Sequence, residues 1–289
     1  MDMTRHAIQI LNMLPYSPLL AKATNKLSGC MKEGPVQTRY GYWIAYKDTG
    51  KYATAIRKLV ISGSYERPYF NMLRRLINFG DTVIDVGAHE GYVSLLMQKL
   101  AGGGRIFAIE PNPENLVSLH RNIDLNLAAN IKVIEKAVSD QKRRMNLYCS
   151  PNIGANASLI PYSYFPEDKI EVEVDTLDDM FGDLERLNFI KVDTEGSELQ
   201  VLLGGRQIIS RHKPIICFEV SLTFWAYLEQ SVDKLFNYLR DLDYKLFVLK
   251  NAQLYPYRWL DERIINMFAV HISRMQELTK LGIISSGDQ

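Results

Sequence analysis

Apolar residues in this chain fall into short continuous runs that alternate with stretches of helical periodicity. Thr82–Val86 is a β-branched run ending in glycines, and a helical pattern follows from Tyr92 to Leu100, closed by Ala101-Gly-Gly-Gly104. Glycine commonly stands just past a helix end. Arg105–Glu110 reads as the next strand, Pro111 and Pro113 open a helix carrying Leu116, Leu119, Ile123 and Leu127, and Ile131–Ile134 is a third strand. Asn188–Asp193, a helix from about Ser197 to Ser210, and Pro214–Glu219 continue the alternation. Strands separated by helices in this way form βαβ units and a parallel sheet. Strands with almost no polar position are buried on both faces. The expected fold is therefore α/β, a doubly wound, mostly parallel sheet.

The pattern is less regular on either side. Residues 1–64 form an N-terminal extension with a helical arm and strand-like aromatics at Tyr40 to Tyr46. The main domain is expected over residues 65–275, with a β insertion at about 140–175 that holds the strand-like runs Met145–Cys149 and Ile170–Val174. Ser150 to Asp168, which joins those runs, is rich in Pro, Asn, Gly and Tyr, and a loop of that length inside a compact domain is usually functional. After Tyr244–Leu249, the run Asn266–His271 is placed antiparallel on the sheet edge, and residues 276–289 are expected to be a polar tail.

Composition excludes several classes. The chain has 289 residues, 47% hydrophobic and 23% charged, which suits a globular protein with a core large enough to need no disulfide or metal staple. A length of this order fits either two domains or one α/β domain with insertions. The formal net charge of +1 lacks the broad basic footprint of a non-specific nucleic-acid binder. Cys30, Cys149 and Cys217 are odd in number and far apart, and read as reduced thiols of a cytoplasmic protein. No run approaches the length of a membrane-spanning helix. The apolar start, Ala7 to Leu14, is broken by Gln9, Asn12, Pro15 and Pro18. It suits an amphipathic arm better than a secretion signal. Peripheral membrane contact and pairing of two subunits through this arm are both left open.

The chemistry gathers at the strand ends. In an open α/β sheet, ligands sit beyond the carboxyl ends of the strands at the topological switch point. The first strand ends Asp85-Val-Gly-Ala-His-Glu-Gly91, the second at Glu110, and later ones at Asp193 and Glu219. Gly87 and Gly91 allow close backbone approach, and Glu110 on the adjacent strand is placed to accept from both hydroxyls of a ribose. A dinucleotide fingerprint wants G-x-G-x-x-G, but His89 and Tyr92 replace its second and third glycines. An acid-rich mouth repels a pyrophosphate and welcomes a cationic sulfonium, so S-adenosylmethionine is favoured over NAD.

The segments Asp81 to Tyr92, Glu110-Pro-Asn-Pro113, Asp175-Thr-Leu-Asp178 and Phe189 to Glu198, with Gly63-Ser-Tyr-Glu66 upstream, resemble the FkbM-type S-adenosylmethionine-dependent methyltransferases. The resemblance covers roughly residues 60–220, and His89 stands where that family often carries Asn. It implies the Rossmann-like class I methyltransferase fold and methyl transfer to a hydroxyl, of a glycan or glycolipid sugar or of a polyketide-type small molecule. It further implies a cofactor site from Asp85, Gly87, Ala88, His89, Gly91, Glu110, Pro111, Ala137 and Asp193, with Asp193 and Glu195 near the methyl group. Asp193 is the first candidate for the base, followed by Glu195 and Glu219. In the long loop, Asn156, Ser158 and Tyr162 are candidates for acceptor binding. Tyr65 is a candidate cofactor contact, and Trp43, Trp225 and Tyr227 read equally as core or as acceptor-facing. No ligand spacing requires a metal. Asp193-Thr-Glu-Gly196 stands where an amine or base methylase usually carries an Asn/Asp-Pro-Pro-aromatic loop, which speaks for oxygen. The rivals are an NAD-dependent oxidoreductase and a cofactor-binding partner protein without catalysis.

Overall fold

The computed structural model describes residues 3–28, 33–46, 51–149, 157–161, 169–221, 232–258 and 264–285. Its helices include α1 (Met3–Met13), α2 (Pro18–Ser28), α3 (Lys51–Ser62), α4 (Arg67–Leu76), α5 (Tyr92–Ala101), α6 (Pro113–Leu125), α7 (Leu177–Phe181), α8 (Glu198–Leu203) and α9 (Arg206–His212). The strands are β1 (Gly34–Gln37), β2 (Trp43–Tyr46), β3 (Thr82–Val86), β4 (Arg105–Ile109), β5 (Ile131–Ile134), β6 (Ala137–Val138), β7 (Arg143–Cys149), β8 (Ala157–Ser158), β9 (Lys169–Asp175), β10 (Phe189–Val192), β11 (Ile215–Ser221), β12 (Tyr244–Lys250), β13 (Gln253–Pro256) and β14 (Ile264–His271).

One sheet runs in the order β13-β12-β14-β11-β10-β3-β4-β5. Its centre, β11-β10-β3-β4-β5, is parallel throughout. β3 is the switch point, since the chain moves from it to β4 and β5 on one side and later to β10 and β11 on the other. All five residues of β3 and all four of β10 are buried, because helices cover both faces. One face packs α4 and α5 through Tyr69, Phe70, Leu73, Leu95 and Leu96. The other packs α8, α9 and the helix Val232–Asp241 through Val201, Ile208, Leu235 and Leu239. Each large side chain fully buried in these layers stabilises the fold by about 1.5–3 kcal/mol.

The fold is the expected doubly wound α/β class, and the details refine it. The antiparallel strand β14 lies between β11 and β12, and β13 adds a short hairpin beyond β12. The helix expected over 197–210 is two helices, because Gly204 sits against the chain: a Cβ there would lie 2.1 Å from the Ser139 carbonyl oxygen. The tail is not simply polar. Met275–Lys280 is helical, Leu278, Ile283 and Ile284 are buried, and Ile284 bridges Leu254. The inserted strands form a separate sheet ordered β6-β9-β7-β8. The N-terminal extension shares the main core, where Ile8, Val36, Tyr42, Ile44, Val60 and Ile61 cluster with Tyr69 and Val83. Among the described residues no helix is long and apolar enough to cross a membrane.

Candidate active site

The glycine loop that leaves β3 is held from below by β10. Gly87 has φ +78°, and a Cβ there would lie 1.8 Å from the Asp193 carbonyl oxygen, so no side chain fits. His89 also takes a left-handed conformation, with φ 53°. Its backbone N–H donates to Glu110 Oε2 at 2.8 Å. Glu110 Oε1 accepts from the Asn112 N–H at 2.9 Å and from Asn115 Nδ2 at 3.1 Å. The Glu110 carboxylate thus ties the glycine loop to the start of α6 while still lining the cavity above it. Gly91, at φ +86°, starts α5 and touches Leu119, which a Cβ would meet at 2.5 Å. It is not among the cavity-lining residues, and its requirement is conformational.

Asp85 is also off the cavity wall. It is fully buried, accepts from Ser94 Oγ at 2.5 Å, and faces Lys191 Nζ at 3.3 Å. The strand register sets Lys191 directly opposite Asp85. The same ammonium lies 3.2 Å from Asp193 Oδ2 and donates to the Gly87 carbonyl at 3.3 Å. A cofactor contact expected of Asp85 is therefore replaced by a buried one, because the paired strand carries a cation for it. A charge inside an apolar strand needs a partner. That argument applies to Asp85 and equally to Lys191, the cation inside the apolar run Phe189–Val192.

The cavity encloses about 510 Å³, within the range of small-molecule sites. Gly87, Ala88, His89, Glu110, Pro111, Ala137, Asp193, Glu195 and Glu219 all line it, as do Tyr65, Glu66 and Lys191. Ala55, Ile56 and Leu59 of α3 form one wall, and Leu147, Ala157 and Leu159 of the inserted sheet form another. Ser158 is buried, donates to the Glu195 carbonyl at 2.9 Å and accepts from the Ile160 N–H at 3.1 Å. It holds the Glu195 turn and does not line the cavity. Asn156, Tyr162, Trp225, Tyr227 and Cys30 lie outside the described residues.

Four carboxyls converge here, on Glu66, Asp193, Glu195 and Glu219. Burial, with Asp193 nearby, pushes Glu66 from 4.5 to about 7, against hydrogen bonds from Tyr65 and Asn266. Burial and Asp193 raise Glu195 and Glu219 as well. Burial lowers Lys191, but the aspartates on either side outweigh it and hold its proton. Glu198, just behind the turn, accepts from the Thr194 and Gly196 N–H groups at 3.1 Å each. Glu66 and Glu195 are left-handed, at φ 38° and 53°. Such strain is kept where surrounding structure demands it, often at functional sites. Glu66 closes the Gly63-Ser-Tyr-Glu66 segment of the family resemblance, but no local period assigns it to the cavity, because a bend between elements delivers it. No group of His, Cys, Asp and Glu side chains arranged to hold a metal is found among the described residues.

Residues 85–246, just over half of the chain, match the Methyltransferase FkbM domain. The chain belongs to the FkbM methyltransferase family. Methyltransferase sdnD of Sordaria araneosa is 29% identical over 153 residues, 42% of this chain and 59% of that protein, so the match spans less than two thirds of that relative. The 2-O-methyltransferase NoeI of Sinorhizobium fredii is 23% identical over 177 residues, 56% of this chain and 71% of that one. A SAM-dependent methyltransferase from Aquifex aeolicus superposes with a TM-score of 0.44 and 14% identity, covering 77% of this chain and 100% of that one.

FkbM methyltransferases use S-adenosylmethionine, and the residues present suit it. The wall carries five carboxyls, those of Glu66, Glu110, Asp193, Glu195 and Glu219, against the ammonium groups of Lys136 and Lys191, and a cationic ligand would relieve the burial and crowding that raise Glu66, Glu195 and Glu219. Ile109, Pro111, Ala137 and Val138 give an apolar slot beside Glu110. His89 Nε2 is buried with no hydrogen-bond partner among the described residues, leaving a polar atom at the cavity for a ligand.

Proposed function

We propose that this enzyme methylates a hydroxyl oxygen, with the sugar of a glycan or glycolipid as acceptor, in a cytoplasmic setting. The observation that carries this reading is the convergence of the Asp193, Glu195 and Glu219 carboxyls at the cavity floor beside Lys191. Bound there, S-adenosylmethionine supplies an electrophilic methyl group. The protein must then orient an acceptor hydroxyl, take its proton and keep water out.

Glu195 is the proposed proton acceptor. Its raised proton affinity suits a base working near neutrality, and the Ser158 hydroxyl bonded to its carbonyl holds the turn that carries it. Asp193, ion-paired to Lys191, sets the charge of the floor. Glu219, raised further by its neighbours, holds a proton and is suited to donate a hydrogen bond to the acceptor. Ile56, Leu59, Leu147 and Leu159 exclude water and offer an apolar surface to the C–H face of a sugar ring. The same surface suits a polyketide-type alcohol, which is the second reading. NoeI is named a 2-O-methyltransferase, which agrees with oxygen as the target.

The test is transfer of labelled methyl groups to a panel of sugars, polyketide alcohols and amines. Labelling of sugar hydroxyls is expected. Exclusive labelling of amines would refute the oxygen reading, and exclusive labelling of polyketide alcohols would select the second. Glu195→Gln should lower kcat by about 10²–10⁴-fold with S-adenosylhomocysteine affinity retained. Full turnover in that variant removes Glu195 as the base.

A further inference from the structure

The cavity wall formed by α3 lies outside the segment that matches the family domain, and one buried contact joins it to the glycine loop. Arg57 of α3 donates from Nε to Glu90 Oε2 at 3.1 Å, and a second N–H of the same guanidinium reaches Glu90 Oε1. The pair is bidentate, and the side chains are only 4% and 7% exposed. The Tyr92 hydroxyl also donates to Glu90 Oε2, and Asn122 Nδ2 donates to the Glu90 carbonyl at 2.8 Å. Glu90 is therefore gripped from α3, α5 and α6 together. It follows His89, whose left-handed turn sends its N–H to Glu110 and whose ring stands edge-on to Tyr92, 6.5 Å between centroids.

A buried ion pair is a poor way to gain stability, since apolar replacements of similar volume are often neutral or better. What a guanidinium fork adds is a fixed orientation. We propose that Arg57 is a positioning residue for the cofactor loop: it fixes Glu90, and through Glu90 the His89 turn, in the conformation that meets the ligand. The inference rests on the cofactor reading of the cavity. Arg57 is one residue from Ile56 and two from Leu59, so the same clasp holds the acceptor-facing wall against the loop. Cofactor affinity and the seating of α3 are thereby linked, each favouring the other.

The test is calorimetric titration with S-adenosylhomocysteine of the parent, of Arg57→Met/Glu90→Gln and of Arg57→Lys. The double variant strands no buried charge and keeps an amide oxygen for the Tyr92 hydroxyl. It should melt as cooperatively as the parent while its Kd rises on the order of tenfold or more, and amide exchange over residues 87–92 should quicken. Arg57→Lys keeps the charge without the fork, so its Kd should rise with an unchanged melt. That second result does not depend on the double variant folding. Parent-like affinity in either folded variant overturns the proposal and leaves the cofactor reading intact. Failure of the parent itself to bind overturns both.

Discussion

At the scale of single residues, the site balances many carboxyls against few cations, and the balance depends on pH. Burial lifts Glu66 from 4.5 in the unfolded chain to about 7 in the fold, so the folded protein holds this proton more tightly. Its contribution to stability is complete below about pH 4.5 and is lost as the pH rises through about 7. One pKa unit corresponds to about 1.4 kcal/mol. Glu66→Gln should therefore flatten the loss of stability between acid and neutral pH by on the order of 3 kcal/mol, measured by urea denaturation across that range. A slope equal to the parent's would show that Glu66 is not buried among the acids. Glu198, also raised to about 7, accounts for part of the slope that remains. Acids at strand ends are legible in the sequence, and Glu110, Asp193 and Glu219 line the cavity, as does Glu195 in the turn after Asp193 that the family resemblance marked. The depth of each is not legible. Asp85 lies under the loop and Lys191 between two aspartates because of strand register, which no local pattern encodes.

At the scale of elements, the glycine loop is where backbone geometry decides most. Gly87→Ala would force a Cβ to within 1.8 Å of the Asp193 carbonyl at φ +78°. Its expected cost is on the order of 3 kcal/mol or more in chemical denaturation. A near-neutral result would contradict the close packing of this loop on β10. The spacing of Gly87 and Gly91 was visible as a loop signature, but that Gly91 packs on Leu119 depends on where α6 lies. The break at Gly204-Gly205 divides a run expected to be one helix, and its only local signal is the pair of glycines. β13 was not announced: Gln253–Pro256 is short, contains proline, and is a strand only through pairing with β12. The long βαβ elements were readable because burial on both faces imposes continuous apolar runs, whereas the two-residue strands β6 and β8 carry no period.

At the scale of the whole molecule, the N-terminal extension is part of the catalytic body. Val36, Tyr42, Ile44, Val60 and Ile61 are at most 1% exposed and share the core with Tyr69, Leu73 and Val83. Each contributes about 1.5–3 kcal/mol by burial, and their sum rivals a typical total stability of about 5–15 kcal/mol. A chain starting at Tyr65 should show no cooperative thermal transition by circular dichroism, and a parent-like melt would refute that integration. The sequence showed an extension with helices and aromatics, but its docking, with Arg57 on Glu90 and the Ala45 N–H donating to Asn122 Oδ1 at 2.7 Å, is long-range and left no local trace. The cavity at the carboxyl ends of β3, β4 and β10 is assigned here to a sulfonium cofactor. Calorimetric titration of the intact chain with S-adenosylhomocysteine and, separately, with NAD is the decisive test. Micromolar binding of S-adenosylhomocysteine alone is predicted. Binding of NAD, or of neither ligand, would contradict it.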